Sequence, residues 1–334
     1  PDFGNPADSV LTRSQEAQLG RQVVRQLRNA GAMIEDPQLH EYIQTLGATL
    51  AAHAHDGEYK FEFFVVNDDA INAFALPGGY IGVNVGLIQA SETESELAGV
   101  LAHEIAHVTQ RHIARSVYDN QRSSILSIAA MLAAVLLGAA SDAGGDAMQG
   151  ILTASQAAVV QRQIDFTRSN EFEADRIGMD TLYSAGFDPV GMASFFEKLS
   201  RRYGLARQKV PQFLQTHPVT SERIAGSRNR VRQLPNVEAH NTLGYELTKA
   251  KLTALGAPSA EASYTLFQDR LEKNDVSTNR YGMALSLARW GRNDHAEEIF
   301  KTLSEEEPGV IAYRIGLGES LMASGSVDVA LTGY

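Results

Sequence analysis

The stretch from Ser91 to His107, S-E-T-E-S-E-L-A-G-V-L-A-H-E-I-A-H, constrains this chain more than any other. Leu97, Val100, Leu101, Ile105 and Val108 recur at helical spacing, so the segment predicts a largely buried helix. Ser91 with Glu94, or Thr93 with Glu96, supplies a capping box at its start. A buried helix that carries two histidines and a glutamate must give those groups partners, because unpaired polar burial is costly. His103 and His107 are four residues apart, so their rings stand one above the other at about 6 Å. That spacing lets both reach one ion at about 2.0 Å from each ring nitrogen. Glu104 points roughly 100° away and can address water at the ion's edge. Two chance histidines would give the same string, so other segments have to decide.

Length and charge narrow the field. At 334 residues the chain is long enough for two units, since domains cluster near roughly 100–150 residues. The net charge of -11 and the lack of a Lys/Arg block argue against nucleic acid as a partner. With no cysteine, disulfides, thiolate metal sites and cysteine nucleophiles are excluded together. The chain starts at Pro1 without a basic region and apolar signal core, as a processed chain would.

Residues 1–10 read as a lead-in, and helices are expected from Thr12 or Ser14 and from Asp36-Pro37. His53 and His55, at a polar turn, read as surface histidines. Strands follow at 59–66 and, through Ile71–Leu76 and the Pro77-Gly78-Gly79 turn, at Tyr80–Asn84. This hairpin is expected to offer a sheet edge beside the metal helix, with Gly78, Gly79, Tyr80 and Ile81 touching an extended peptide. The helix is expected to run on in polar form through Gln110-Arg111-His112 to about Tyr118. Residues 124–140 are uncharged but short of the roughly 20 residues of a membrane span. They read as a buried helix or hydrophobic lid, with peripheral membrane or oligomer contact as the alternative. Residues 141–150 read as loop.

A second long helix is expected over 151–183. Glu171 and Asp175 share one of its faces, and Glu173 points away from both. Glu171 could complete a His-His-Glu set with His103 and His107 and leave one position open, the pattern of a catalytic zinc site. Asp175 is spaced to accept the spare N–H of a ligating histidine. A solvated acidic face is the alternative, but Phe172, Ala174 and Ile177 are interleaved with the acids, and a nearby cation would resolve that conflict. Phe187-Asp188-Pro189 starts another helix, and 201–209 reads as a basic helix end or loop. His217-Pro218 precedes a helix capped by Thr220 or Ser221. His217 could approach the site, either as a fourth ligand or as a donor to a developing oxyanion, and a surface-loop position reads equally well.

From about residue 236 a 34-residue helix–turn–helix period appears. Ala284, Gly291 and Ala296 recur as Gly318, Gly325 and Ala330, with a degenerate unit over 243–276. The chain stops at Tyr334, inside a repeat. The expected layout is therefore α+β: a mostly helical catalytic domain with a small β-sheet over 1–235, then a helical solenoid over 236–334.

The segments Asn72–Gly79, His103–His107, Glu171–Asp175 and His217-Pro218 together resemble the HtpX/CAAX-prenyl-protease-like gluzincin metallopeptidases. The repeats extend the likeness to a periplasmic branch that enhances beta-barrel assembly and carries C-terminal tetratricopeptide repeats. The resemblance implies a zincin-like fold and one zinc ion per chain on His103, His107 and Glu171. It implies Glu104 as base, Asp175 as outer support, and His217 as the loop histidine that reaches the metal in a latent form. It further implies a periplasmic endopeptidase, exported and then freed of its signal peptide, that acts on misfolded or stalled outer-membrane proteins. The repeats would bind protein partners. The alternative is a latent protease acting mainly as chaperone or adaptor.

Overall fold

The computed structural model describes residues 11–54, 59–120, 168–203 and 211–325, with backbone only for 117–120. His55, the apolar stretch 124–140, the loop 141–150, the start of the second long helix, most of the basic stretch 201–209, Ala330 and Tyr334 lie outside the described residues. The chain divides into two compact units, Pro1–His240 and Asn241–Tyr334.

The first unit is mostly helical. α1 (Arg13–Asn29) starts at Thr12, which forms a reciprocal capping box with Gln15. α2 (Pro37–Ala51) is capped by Asp36, with proline at its first position. β1 (Glu62–Val66), β2 (Ala73–Leu76) and β3 (Tyr80–Asn84) form one sheet in the order β1-β3-β2. β3 pairs parallel with β1 and antiparallel with β2. The turn between β2 and β3 is made by Gly78 and Gly79, at φ 84° and 92°, which only glycine adopts easily. After the short α3 (Val85–Ala90), α4 (Glu94–Thr109) runs through the centre with every residue buried. Thr93 caps it by accepting from the Glu96 N–H, the second of the two phasings. Glu96 in turn accepts from Glu92 N–H, Ser194 and Lys198.

One expectation is corrected here. The polar extension of α4 is not continuous: the helix stops at Thr109, Arg111 takes the left-handed φ of 54°, and α5 (His112–Asn120) starts in a new direction. His112 is fully buried rather than solvated. α6 (Arg168–Ser184) packs along α4. Gly178 permits that approach, because a Cβ there would already lie 3.0 Å from the backbone of Ala102 and His103. α7 (Val190–Tyr203), α8 (Gln212–Thr216) and α9 (Ser221–Val231, capped by Thr220) complete the unit. Among the described residues no helix is long and apolar enough to cross a membrane.

The second unit consists of helices alone among its described residues: α10 (Leu243–Gly256), α11 (Ala260–Lys273), α12 (Ser277–Arg289), α13 (Asn293–Glu306) and α14 (Ile311–Ala323). α10, α12 and α14 begin 34 residues apart, the period read from the sequence. A packing contact repeats with it: Gly282 of α12 lies under the Phe267 ring and Gly316 of α14 under the Phe300 ring. A Cβ at Gly282 would overlap Phe267, which is itself fully buried. Alanine gains about 1 kcal/mol of helix propensity over glycine, but overpacking a tight core costs about 1–3 kcal/mol. Gly282→Ala is therefore expected to lower the melting temperature of this unit, read through Trp290, the single tryptophan of the chain. An unchanged or raised melting temperature would show that the Phe267 contact is slack.

A candidate metal centre between two buried helices

α4 and α6 bring their polar residues together in an otherwise apolar interior. His103, His107 and Glu171 are buried, and His217, from the loop after α8, joins them. One ligand atom of each lies within 4.8 Å of the others. His103 Nε2 is 2.9 Å from His107 Nε2 and 3.3 Å from His217 Nδ1. Glu171 lies 3.6 Å from His103, 3.5 Å from His107 and 3.1 Å from His217. Atoms bonded at about 2.0–2.1 Å to one tetrahedral ion stand roughly 3.3 Å apart, and these separations bracket that value. Three imidazoles and a carboxylate suit zinc as a donor set.

The electrostatics point the same way. Burial lowers the His103 pKa, but hydrogen bonding to Asp175 and Glu171 outweighs it and lifts the group to about 9. Burial and the charge of His103 hold His107 well below the ordinary histidine range. Despite burial, His217, His103 and His107 hold Glu171 below the usual carboxylate range. The pocket favours positive charge at its centre, as a cation site must.

Each ring is also held from behind. His103 Nδ1 is 3.0 Å from Asp175 Oδ1, the position expected from the i, i+4 spacing to Glu171. His107 Nδ1 is 2.7 Å from His112 Nδ1. His112 Nε2 is 3.2 Å from Glu173 Oε2, which also accepts from Arg115 at 2.8 Å. Burial brings the His112 pKa down to about 4. Glu173 does point away from Glu171 and Asp175, but toward α5 rather than into solvent alone.

Arg223 of α9 is the residue that the sequence reading passed over. It is 1% exposed, grips Asp175 with two bonds of 2.7 and 2.6 Å, and reaches Glu171 at 2.8 Å. Its guanidinium also lies over the Phe196 ring. The buried acids of α6 thus have an arginine as counter-ion, besides any metal. A signal existed: two acids on a packed helix face demand positive charge, and Arg223 follows the His217-Pro218 turn closely.

Glu104 is fully buried beside the cluster, and among the described residues no side chain bonds either carboxylate oxygen, the Ala75 backbone of β2 being its close polar neighbour. His217 Nε2 lies 3.5 Å from its Oε1. Burial, the largest influence, raises its pKa above the ordinary carboxylate range. A buried carboxylate without a side-chain partner at the edge of a cation site is poised to handle a proton.

The four residues expected to touch substrate fare differently. β3 is the central strand, so both hydrogen-bonding edges of Tyr80 and Ile81 are already used. Ile81 is fully buried, and Gly79 packs against Lys60 of the chain leading into β1. Of the four, only Gly78 borders the narrow cleft that reaches His107 past Ala75 and Leu76. The edge strand that packs along α4 is β2.

Residues 36–231 match the family described as Peptidase family M48. The chain is 40% identical over 318 residues to the beta-barrel assembly-enhancing protease of Escherichia coli strain K12, covering 94% of this chain and 64% of that protein. A Vibrio cholerae protein provisionally given the same name is 43% identical over 312 residues, 92% of this chain and 64% of its own. The mitochondrial metalloendopeptidase OMA1 of Arabidopsis thaliana is 34% identical over 173 residues, 52% of this chain and 32% of that protein. The chain thus spans 64% of the length of its two more extensive relatives. A family match over more than half of the chain, together with that buried His-Glu-x-x-His cluster, places this chain in peptidase family M48.

Proposed function

We propose that the chain is a zinc endopeptidase, one ion per chain, that cleaves extended segments of misfolded or stalled outer-membrane proteins in the periplasm. The convergence of His103, His107 and Glu171 from two helices, with the buried Glu104 alongside and without a side-chain partner, carries this reading. The ion would be held by those three residues, and when bound it supplies Lewis acidity to water and to a peptide carbonyl. Glu104 takes a proton from the attacking water and delivers it to the leaving amine as the C–N bond breaks. Asp175 and Arg223 keep His103 and Glu171 oriented. Substrate would add as a strand to β2, Ala73–Leu76, the sheet edge beside α4. The substrate class is supported by the beta-barrel assembly-enhancing relatives, and the helical repeats would bind protein partners.

His217 faces the cluster with Nδ1, which supports reading it as a fourth ligand that would close the site. Hydrolysis requires the His217 loop to withdraw and admit water. Zinc analysis by mass spectrometry with a casein-cleavage assay tests the reading. Wild type is expected to bind one zinc and lose cleavage on chelation. His217→Ala, with three ligands left, should keep the zinc and cleave faster than wild type. A chain that binds no zinc would overturn the proposal, and a slower His217→Ala would assign His217 to catalysis instead of closure.

A further inference from the structure

The contact behind His107 is one a continuous helix cannot make. Residues five apart lie about 140° apart around a helix axis, yet His112 Nδ1 stands 2.7 Å from His107 Nδ1. It does so because α4 ends at Thr109 and Arg111 turns the chain through a left-handed φ of 54°. That conformation is uncommon for a residue with a side chain, and such positions gather where the surrounding structure enforces them. Arg111 is so enforced. Its side chain is buried, donating to the Leu11 carbonyl at 2.6 Å and to Glu16 at 3.4 Å.

The proton positions follow from the geometry. His107 directs Nε2 into the cluster, where a lone pair is needed, so its proton belongs on Nδ1. That N–H donates to Nδ1 of His112, whose own proton then sits on Nε2 and donates to Glu173. Arg115 holds Glu173 from the other side. We propose that His112 is a positioning residue, which fixes the ring and tautomer of His107 and is itself held by Glu173 and Arg115. The role of the ring so fixed rests on the metallopeptidase reading. The arrangement on His107 then mirrors that on His103, with each imidazole anchored through an outer nitrogen to a carboxylate of α6.

The test uses the full chain and two measurements. In the zinc-free protein, nitrogen NMR of the imidazoles should find wild-type His107 protonated on Nδ1, with that preference weakened in His112→Ala. Competition against a chromogenic chelator should raise the zinc dissociation constant about 10–100-fold in His112→Ala, with stoichiometry still one. His112→Gln, which can accept from His107 and donate to Glu173, should recover most of that loss. Glu173→Ala, at a side chain 31% exposed, should weaken zinc in the same direction and serves where His112→Ala does not fold. Unchanged zinc affinity in both alanine variants, or wild-type His107 protonated on Nε2, overturns the proposal. A wild type that binds no zinc would instead sink the metallopeptidase reading, while the tautomer measurement would still report on His112.

Discussion

Replacing Glu104 by glutamine should leave one zinc per chain and slow casein cleavage by about 10²–10⁴-fold, the usual contribution of a general base. The substitution keeps the shape and the hydrogen-bonding reach of the side chain and removes only its capacity to carry a proton. No described side chain bonds either oxygen of Glu104, and its backbone neighbour, Ala75, can be kept by the amide oxygen of glutamine. Burial already disfavours the charged carboxylate, so the neutral amide should be tolerated and the variant should melt no lower than wild type. Stability and activity are thus expected to part company at this position. Cleavage at the wild-type rate with metal in place would reassign the base.

Arg223→Met should act in the opposite way, through the fold. Removing one partner of a buried ion pair leaves the other charge uncompensated and costs about 3–5 kcal/mol. Here one guanidinium serves both Asp175 and Glu171, and methionine can fill its space over Phe196 but not its charge. For a unit of this size the melting temperature should fall by roughly 10 °C, measured on the zinc-free chain. Burial pushes Asp175 up, but its bonds to Arg223 and His103 bring it below the usual carboxylate range. Its stabilising effect is therefore full above the ordinary aspartate pKa of about 3.9 and fades as acid protonates it. The deficit of Arg223→Met should accordingly shrink in acid. An equal melting temperature at neutral pH would mean that the two acids find another cation.

What could be read from the residues was whatever repeats with a local period. The apolar spacing of α4, the caps at Asp36 and Thr220, and the 34-residue recurrence all depend on neighbours in sequence. So does the pairing of His103 with His107, and of Glu171 with Asp175, on single helix faces. What escaped depends on tertiary placement. Nothing local marks Arg111 as left-handed, since an arginine between a glutamine and a histidine reads as a polar helix. The burial of His112 follows from that turn and was equally hidden. The strand order was hidden too: Tyr80–Asn84 looks like the free arm of a hairpin until β1 pairs along its other side. Arg223 was visible only to a reader who balanced the charges of α6.

One short span of α6 does three jobs, with Glu171 in the cluster, Asp175 behind His103 and Glu173 behind His112. All three are met or missed together when α6 docks, because a helix cannot shift one of these carboxylates without the others. A half-assembled chain accordingly lacks the complete cluster, and on the peptidase reading a newly made copy would stay harmless to its neighbours until its interior has closed.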